Sequence, residues 1–281
     1  MLREYNGPSG TFEYDDNIWS MSNDTLRFND EYVGPIDLPK GMISCDYLFF
    51  NCYLKDGCYL RDFDTSHVRS MRGMFSYSLL SDGFRLGEKF DTSQVEDMDN
   101  MFAYCWTSGA FNLGDKFITT KVRNMSHMFC EFNPLREFSL GEHFDTTNVE
   151  NMESMFRGFR MPNNFSLGEH FDTANVRTMK KMFSESVMCK DFNLGGKFNT
   201  EGVRDFTQMF SNCMINRQFN FGDFFSTKNA RTMDFMFADT KIPLGVKLPE
   251  AIVYNSDNAH GIFWHSSLRY YLKARNNNIL T

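Results

Sequence analysis

The 281-residue sequence has no apolar stretch approaching the roughly 18 residues that a membrane-crossing helix requires. Its opening, MLREYNGPSG, carries neither the apolar run of a secretory leader nor an early cysteine for lipid attachment. The expected location is therefore the cytoplasm, with the cell surface open only to a form from which an export signal has been removed. Basic excess is absent as well. Lys and Arg total 29 against 36 Asp and Glu, which leaves a formal net charge of -7 and a pI near 5.4. Phosphate backbones and anionic lipid heads both need a basic face, so neither direct nucleic-acid binding nor membrane attachment is expected. The seven cysteines (Cys45, Cys52, Cys58, Cys105, Cys130, Cys189, Cys213) are an odd number without a C-x-x-C pair. That spacing indicates neither a full disulfide framework nor a zinc knuckle, and the thiols are read as reduced. A Ser/His/Asp order, a nucleophile elbow, a phosphate-binding glycine loop and a string of metal ligands are all missing. The expectation is a protein that is not an enzyme and takes no cofactor.

What is present is a repeat. Phe63, Phe90, Phe117, Phe144, Phe171, Phe198 and Phe225 are each 27 residues from the next. Two positions on stands a threonine row, Thr65, Thr92, Thr119, Thr146, Thr173, Thr200 and Thr227. Five on stands Val68, Val95, Val122, Val149, Val176, Val203 and Ala230. A row of Met71, Met98, Met125, Met152, Met179, Phe206 and Met233 follows, and then a Met-Phe pair running from Met74 and Phe75 to Met236 and Phe237. Thirteen of the 19 methionines lie in these rows, which core packing explains. The spacing V-x-x-M-x-x-M-F predicts one apolar helical face per copy. Upstream, F-x-L-G (Phe84, Leu86 and Gly87 in one copy, Phe111, Leu113 and Gly114 in the next) predicts a short strand stopped by glycine.

A strand, a turn, a short helix and a return cannot bury their apolar side chains within one 27-residue copy, so the copies must stack. The predicted fold is α/β, a leucine-rich-repeat-like solenoid with one short parallel strand and one short helix per coil. Residues 1–36, with hairpin-like alternation, are assigned to an N-terminal cap; 37–251 to the solenoid, with a worn first copy at 37–62 and seven regular copies from 63; and 252–281 to a worn last copy and C-terminal cap, including a closing helix over 266–275.

The run F-D-T-S-x-V-x-x-M-x-x-M-F, at Phe63 to Phe75 and Phe90 to Phe102, and as F-D-T-T-N-V-E-N-M-E-S-M-F at Phe144 to Phe156, resembles the repeat of the BspA-like bacterial surface proteins. The resemblance covers residues 37–268 and implies a leucine-rich-repeat-like fold. Members of that family are commonly exported adhesins, so it also implies binding to host or matrix proteins.

Within the frame, the columns that change are the candidate contact residues. On each strand the residue flanked by inward Phe and Leu should face outward: Arg85, Asn112, Ser139, Ser166, Asn193 and Asn220, with Glu137, Asn164, Asp191 and Gln218 preceding them on the same face. After the glycine runs an acidic margin, Glu88, Asp115, Glu142 and Glu169, beside Lys89, Lys116, His143, His170 and Lys197. His143 and His170 in adjacent coils lack a third ligand, and no metal site is assigned. Arg69, Glu96, Arg123, Glu150 and Arg177 alternate in sign and predict an exposed ion-pair ladder that sets register. The threonine row is read as structural: as capping residues, or as hydroxyls bonding the adjacent coil.

The functional expectation is a non-enzymatic protein-binding solenoid acting through its strand face and acidic margin. Small size and negative charge also fit an inhibitor or decoy, from a phage or mobile element, of a nucleic-acid-binding or nuclease defence protein. Surface adhesion is the reading for an exported form. Neither the partner's identity nor the oligomeric state is written in the sequence.

Overall fold

A computed structural model describes the backbone of 10–14, 17–22 and 25–28, and then residues 43–267 apart from 55–59, 61–62, 244, 250–251 and 254–256. The first three segments are strands, β1 (Gly10–Tyr14), β2 (Asn17–Ser22) and β3 (Thr25–Phe28), paired antiparallel in the order β1-β2-β3. The hairpin-like alternation of the N-terminal sequence falls on this sheet. From residue 268 on, the segment expected to close the chain with a helix lies outside the described residues, as does Cys58.

From Ser44 onward the pairing is parallel and follows the repeat. The two-residue strands β4 (Tyr53–Leu54), β5 (Leu79–Leu80), β6 (Trp106–Thr107) and β8 (Asn133–Pro134) form one sheet, and β7 (Phe111–Asn112) pairs with β9 (Phe138–Ser139) in a second. Single parallel bridges run Ser44, Ser70, Asp97, Asn124, Asn151, Thr178, Asp205, Thr232, each residue paired with its counterpart in the next copy. A further series joins Arg160, Val187, Met214 and Lys241, in the column that Trp106 and Asn133 occupy earlier in the chain.

The predicted helix is corrected by the backbone. No helix occurs among the described residues; the V-x-x-M-x-x-M-F segments are chains of turns. In the third coil the N–H groups of Met98, Asn100, Phe102 and Tyr104 donate to the carbonyls of Asn124, Ser126, Met128 and Cys130 in the next coil, at 2.7–3.0 Å. The intervening N–H groups of Met101, Ala103 and Cys105 donate three residues back, to Met98, Asn100 and Phe102. Successive turns of this kind bring every third residue inward, which is the spacing that reads as a helical face. An α-helix is excluded on two counts. It would consume within itself the N–H groups that hold the next coil, and helices pack 8–10 Å apart whereas hydrogen-bonded parallel backbones lie about 4.8 Å apart.

The turn chain also needs two left-handed residues per coil, four apart: Asn100 (φ 58°) and Tyr104 (φ 56°), His127 (φ 56°) and Glu131 (φ 52°), Lys181 (φ 56°) and Glu185 (φ 62°) among them. Such a conformation costs a non-glycine residue roughly 1–2 kcal/mol, which the inter-coil bonds must offset. Glycine takes the position at Gly73 (φ 57°), where there is a further reason: a Cβ there would collide with the Tyr47 ring of the preceding coil.

The interior is a set of columns. Phe49, Phe75, Phe102, Phe129, Phe156, Phe183, Phe210, Phe237 and Phe263 stack ring on ring, with centroids 5.2–5.7 Å apart and planes within 14°. A second column, Phe84, Phe111, Phe138, Phe165, Phe192 and Phe219, runs beside it at 6.0–6.3 Å spacing. The two meet edge to face, as at Phe102 and Phe111 with planes 63° apart, the geometry that ring quadrupoles favour. Both methionine rows are fully buried as well. The seven repeat threonines are buried too, and each Oγ1–H donates to a carbonyl of the next coil: Asp91, Ile118, Asp145, Asp172, Asn199, Ser226 and Val253 in turn, at 2.7–3.0 Å. Each bond satisfies a hydroxyl that would otherwise be costly to bury, and it ties one coil to the next. The six described cysteines are buried and none is disulfide-bonded, and burial pushes the Cys45, Cys105 and Cys213 thiols well up and the Cys130 thiol to about 11.

Candidate interaction surfaces

Alternation along each coil turns one set of columns inward and leaves the next exposed. On the β7–β9 side Phe111 and Leu113 are buried, and the residue between them points out. All six predicted strand-face residues, Arg85, Asn112, Ser139, Ser166, Asn193 and Asn220, are exposed, as are Glu137 and Asp191. Several of them are engaged locally. The Ser139 and Ser166 hydroxyls accept from the N–H of Gly141 and Gly168 at 3.2 and 3.1 Å, and Asn220 Oδ1 accepts from Gly222 at 2.9 Å. Asn193 Oδ1 accepts from the Asn220 N–H at 2.7 Å. Ser and Asn recur in this column because a short polar side chain closes the turn that glycine begins.

The acidic margin, Glu88, Asp115, Glu142 and Glu169, lies on the outside of those glycine turns, exposed in every coil, with Lys89, Lys116, His143 and His170 exposed beside it. Of the alternating charged row, Arg69 and Glu96 come within 3.9 Å and Arg123 and Glu150 within 3.0 Å, both pairs well exposed. Surface pairs of this kind contribute roughly 0–1 kcal/mol each.

A third surface was not anticipated. On β4, β5 and β6 the outward residues are Tyr53, Leu79 and Trp106, neighbours in parallel register and 42%, 40% and 53% exposed. Beside them stand Phe50 and Tyr77, 39% and 52% exposed, with Tyr104. The rings form a connected surface: Tyr47 meets Phe50 edge-on at 6.0 Å, Phe50 meets Tyr77 at 5.6 Å, and Tyr77 stacks on Tyr104 at 4.6 Å. At its Tyr47 end Asp46 adjoins Tyr47 in sequence, and the Gly73 N–H under the Tyr47 ring donates to the Asp99 carbonyl at 2.8 Å, with Arg72 reaching Asp97 at 3.9 Å and Asp99 at 3.8 Å. Burial, with Asp99 and Asp46 adding to it, holds the Asp97 carboxyl above the ordinary carboxylate range. Burial also opposes ionisation of Asp99, but the nearby His127 ring and the hydrogen bonds donated by Ser126 and Asn100 outweigh it and hold that carboxyl low.

In the next two coils the Trp106 column turns polar, to Asn133 and Arg160, before Val187 and Met214 make it apolar again, and Tyr104 is followed by Glu131, Gly158 and Glu185. Arg157 lies between the two glutamates, donating to Glu185 through two nitrogens at 3.1 Å each and lying 3.7 Å from Glu131. The aromatic residues were visible in the sequence, but the helical reading of their segment left no way to tell which column faced water.

These observations define a repeat protein whose parallel-paired copies present exposed columns of changing chemistry over a constant interior. Models of a family described as Mycoplasma protein of unknown function, DUF285, match residues 43–164 and 135–244, more than half of the chain. The chain belongs to that family. It matches no curated protein and no solved structure at a significant level. Among the described residues no helix is long and apolar enough to cross a membrane.

Proposed function

We propose that this chain is a leucine-rich-repeat-like solenoid that binds a protein partner through its outer columns and catalyses no reaction. The observation that carries the reading is the contrast between columns: the buried Phe, Met, Val and Thr positions recur from coil to coil, while exposed positions change charge, size and aromaticity. Stacking dictates the first set and leaves the second free to be shaped by a partner. The likeness of the motif to BspA-like surface repeats supports binding as the role. The acidic margin is one proposed contact, because four exposed carboxylates in line suit a basic partner surface. The strand-face column is a weaker contact, since Ser139, Ser166 and Asn220 are engaged in closing their own turns.

The test is capture of a partner from the source cell on immobilised chain, compared with the double charge reversal Glu142→Lys and Glu169→Lys. Capture should fall by about tenfold or more; unchanged capture removes the acidic margin from the contact. The same margin favours a second form of the reading, an inhibitor or decoy occupying the site of a nucleic-acid-binding protein in the cytoplasm. In that form the complex dissociates as salt is raised, whereas a complex indifferent to salt rules it out.

A further inference from the structure

We infer that the aromatic face of the first three described coils, together with the carboxylates beside it, docks an extended arginine-rich segment of another protein. The inference rests on the protein-binding reading and assigns the chemistry of the partner.

Nothing in the fold requires these aromatics. The coils that carry Asn133, Arg160, Glu131 and Glu185 in the same columns keep the same stacked Phe interior and the same inter-coil hydrogen bonds. Tyr53, Leu79, Trp106, Phe50 and Tyr77 nevertheless lie together in water, 39–53% exposed. A contiguous apolar cluster of this kind is unfavourable in isolation and marks an interaction site. Tyr and Trp are also the side chains on which interface energy concentrates.

The charge beside the rings narrows the partner. Asp46 precedes Tyr47, whose ring begins the connected aromatic surface, and Asp97 and Asp99 follow in the adjoining coil. Two carboxylates, Asp97 and Asp99, lie 3.9 and 3.8 Å from the one guanidinium, Arg72; Asp46 accepts from the Arg72 backbone N–H at 2.9 Å, and the His127 ring reaches Asp99 at 3.6 Å. Burial is the main reason the Asp97 carboxyl is raised, and the neighbouring Asp99 and Asp46 charges add to it. A cation arriving from outside relieves that crowding, while a phosphate would add to it. Arginine suits both halves of the surface, because its planar guanidinium stacks on aromatic faces and pairs with carboxylates through two N–H groups at once. Two inter-coil spacings amount to about 10 Å, so an extended chain crosses the patch in about three or four residues.

The experiment uses the full chain and fluorescein-labelled peptides of about eight residues alternating arginine with glycine, read by fluorescence anisotropy at low salt. The comparison probes are the same peptide with citrulline, the uncharged isostere, in place of arginine; a short oligothymidine; and the labelled chain itself. The variants come from the protein's own repeats and so preserve the fold. Trp106→Asn copies Asn133, and the pair Asp97→Asn with Asp99→Ser copies Asn124 and Ser126. A cooperative denaturation transition in each variant verifies that it is folded.

The expected result is binding of the arginine peptide that is weakened about tenfold or more by citrulline and by Trp106→Asn, and about fivefold by the carboxylate pair. Equal binding of the arginine and citrulline peptides, or no effect of Trp106→Asn, overturns the inference. So does self-association through this face, although that outcome leaves a protein as the partner. Oligothymidine binding lost in Trp106→Asn overturns the inference and, for this face, the protein-binding reading with it. A captured partner lost only with Glu142→Lys and Glu169→Lys, alongside silent peptides, overturns the inference and leaves the protein-binding reading standing.

Discussion

The coils between Ile43 and Val122 and those between Arg123 and Val203 share an interior and differ in what they show to water. In both, the Phe column stacks at 5.2–5.7 Å, the methionines are fully buried and the threonine hydroxyl reaches the next coil. Outside, the first region carries Phe50, Tyr53, Tyr77, Leu79 and Trp106, and the second carries the Glu131, Arg157 and Glu185 triad. A column that must meet its own image in the next coil can hold only side chains that pack against themselves. An outward column is released from that condition, and its chemistry records something other than folding.

The sharpest way to break this comparison is to cut the shared interior in each region. Phe102→Ala and Phe156→Ala should each destabilise the chain by about 3–5 kcal/mol, and by similar amounts, because each ring lies between two stacked neighbours. Denaturant unfolding monitored by circular dichroism measures both. A loss at Phe102 much smaller than at Phe156 would mean that the aromatic-faced coils are held by their exterior instead.

A smaller effect is expected from the hydroxyl ladder. Thr92→Val in the first region and Thr146→Val in the second each leave buried backbone carbonyls without their donor at nearly constant volume, at about 1–3 kcal/mol apiece. Next comes the triad. Arg157→Gln removes the shared guanidinium and leaves Glu131 and Glu185 facing each other. The cost is on the order of 1 kcal/mol given their partial exposure, and it should shrink as salt screens the two carboxylates.

The smallest effect carries a sign. In the folded chain the Asp97 carboxyl binds its proton more firmly than an ordinary carboxylate, so its contribution to stability grows as pH falls through that raised pKa and is a penalty at neutral pH. Asp97→Asn keeps the oxygen that accepts from the Asp99 N–H and from Asn124, and removes the charge. It should raise stability at neutral pH by up to about 0.5 kcal/mol, with the advantage vanishing under acid conditions. The lowered Asp99 carboxyl has the opposite sign, its contribution being present at neutral pH and lost as pH falls through its folded pKa. Unfolding curves of wild type and Asp97→Asn across pH separate the two.

The period, the identity of each column and the inward direction of the Phe, Met and Val rows were all legible from residue spacing, because like side chains recur every 27 positions without a slip. The outward direction of Asn112 and Ser139 followed from alternation with Phe and Leu, a strictly local relation. The turn chain was not legible. Its hydrogen-bond partners lie a whole coil away, Met98 to Asn124 and Phe102 to Met128, and a three-residue recurrence looks the same whether turns or a helix produce it. Nor did the left-handed positions announce themselves, since Tyr104, His127 and Lys181 adopt a conformation usually signalled by glycine or asparagine.

What the amino-acid sequence determined by itself was therefore the repeat and the separation of its constant columns from its changing ones, since both are properties of spacing along the chain. Only the tertiary structure decided that the methionine segments are turns and that Tyr77, Leu79 and Trp106 stand in water. The reason is physical: a backbone whose donors are claimed by the coil alongside cannot also wind into a helix, and which side chains reach solvent depends on that competition.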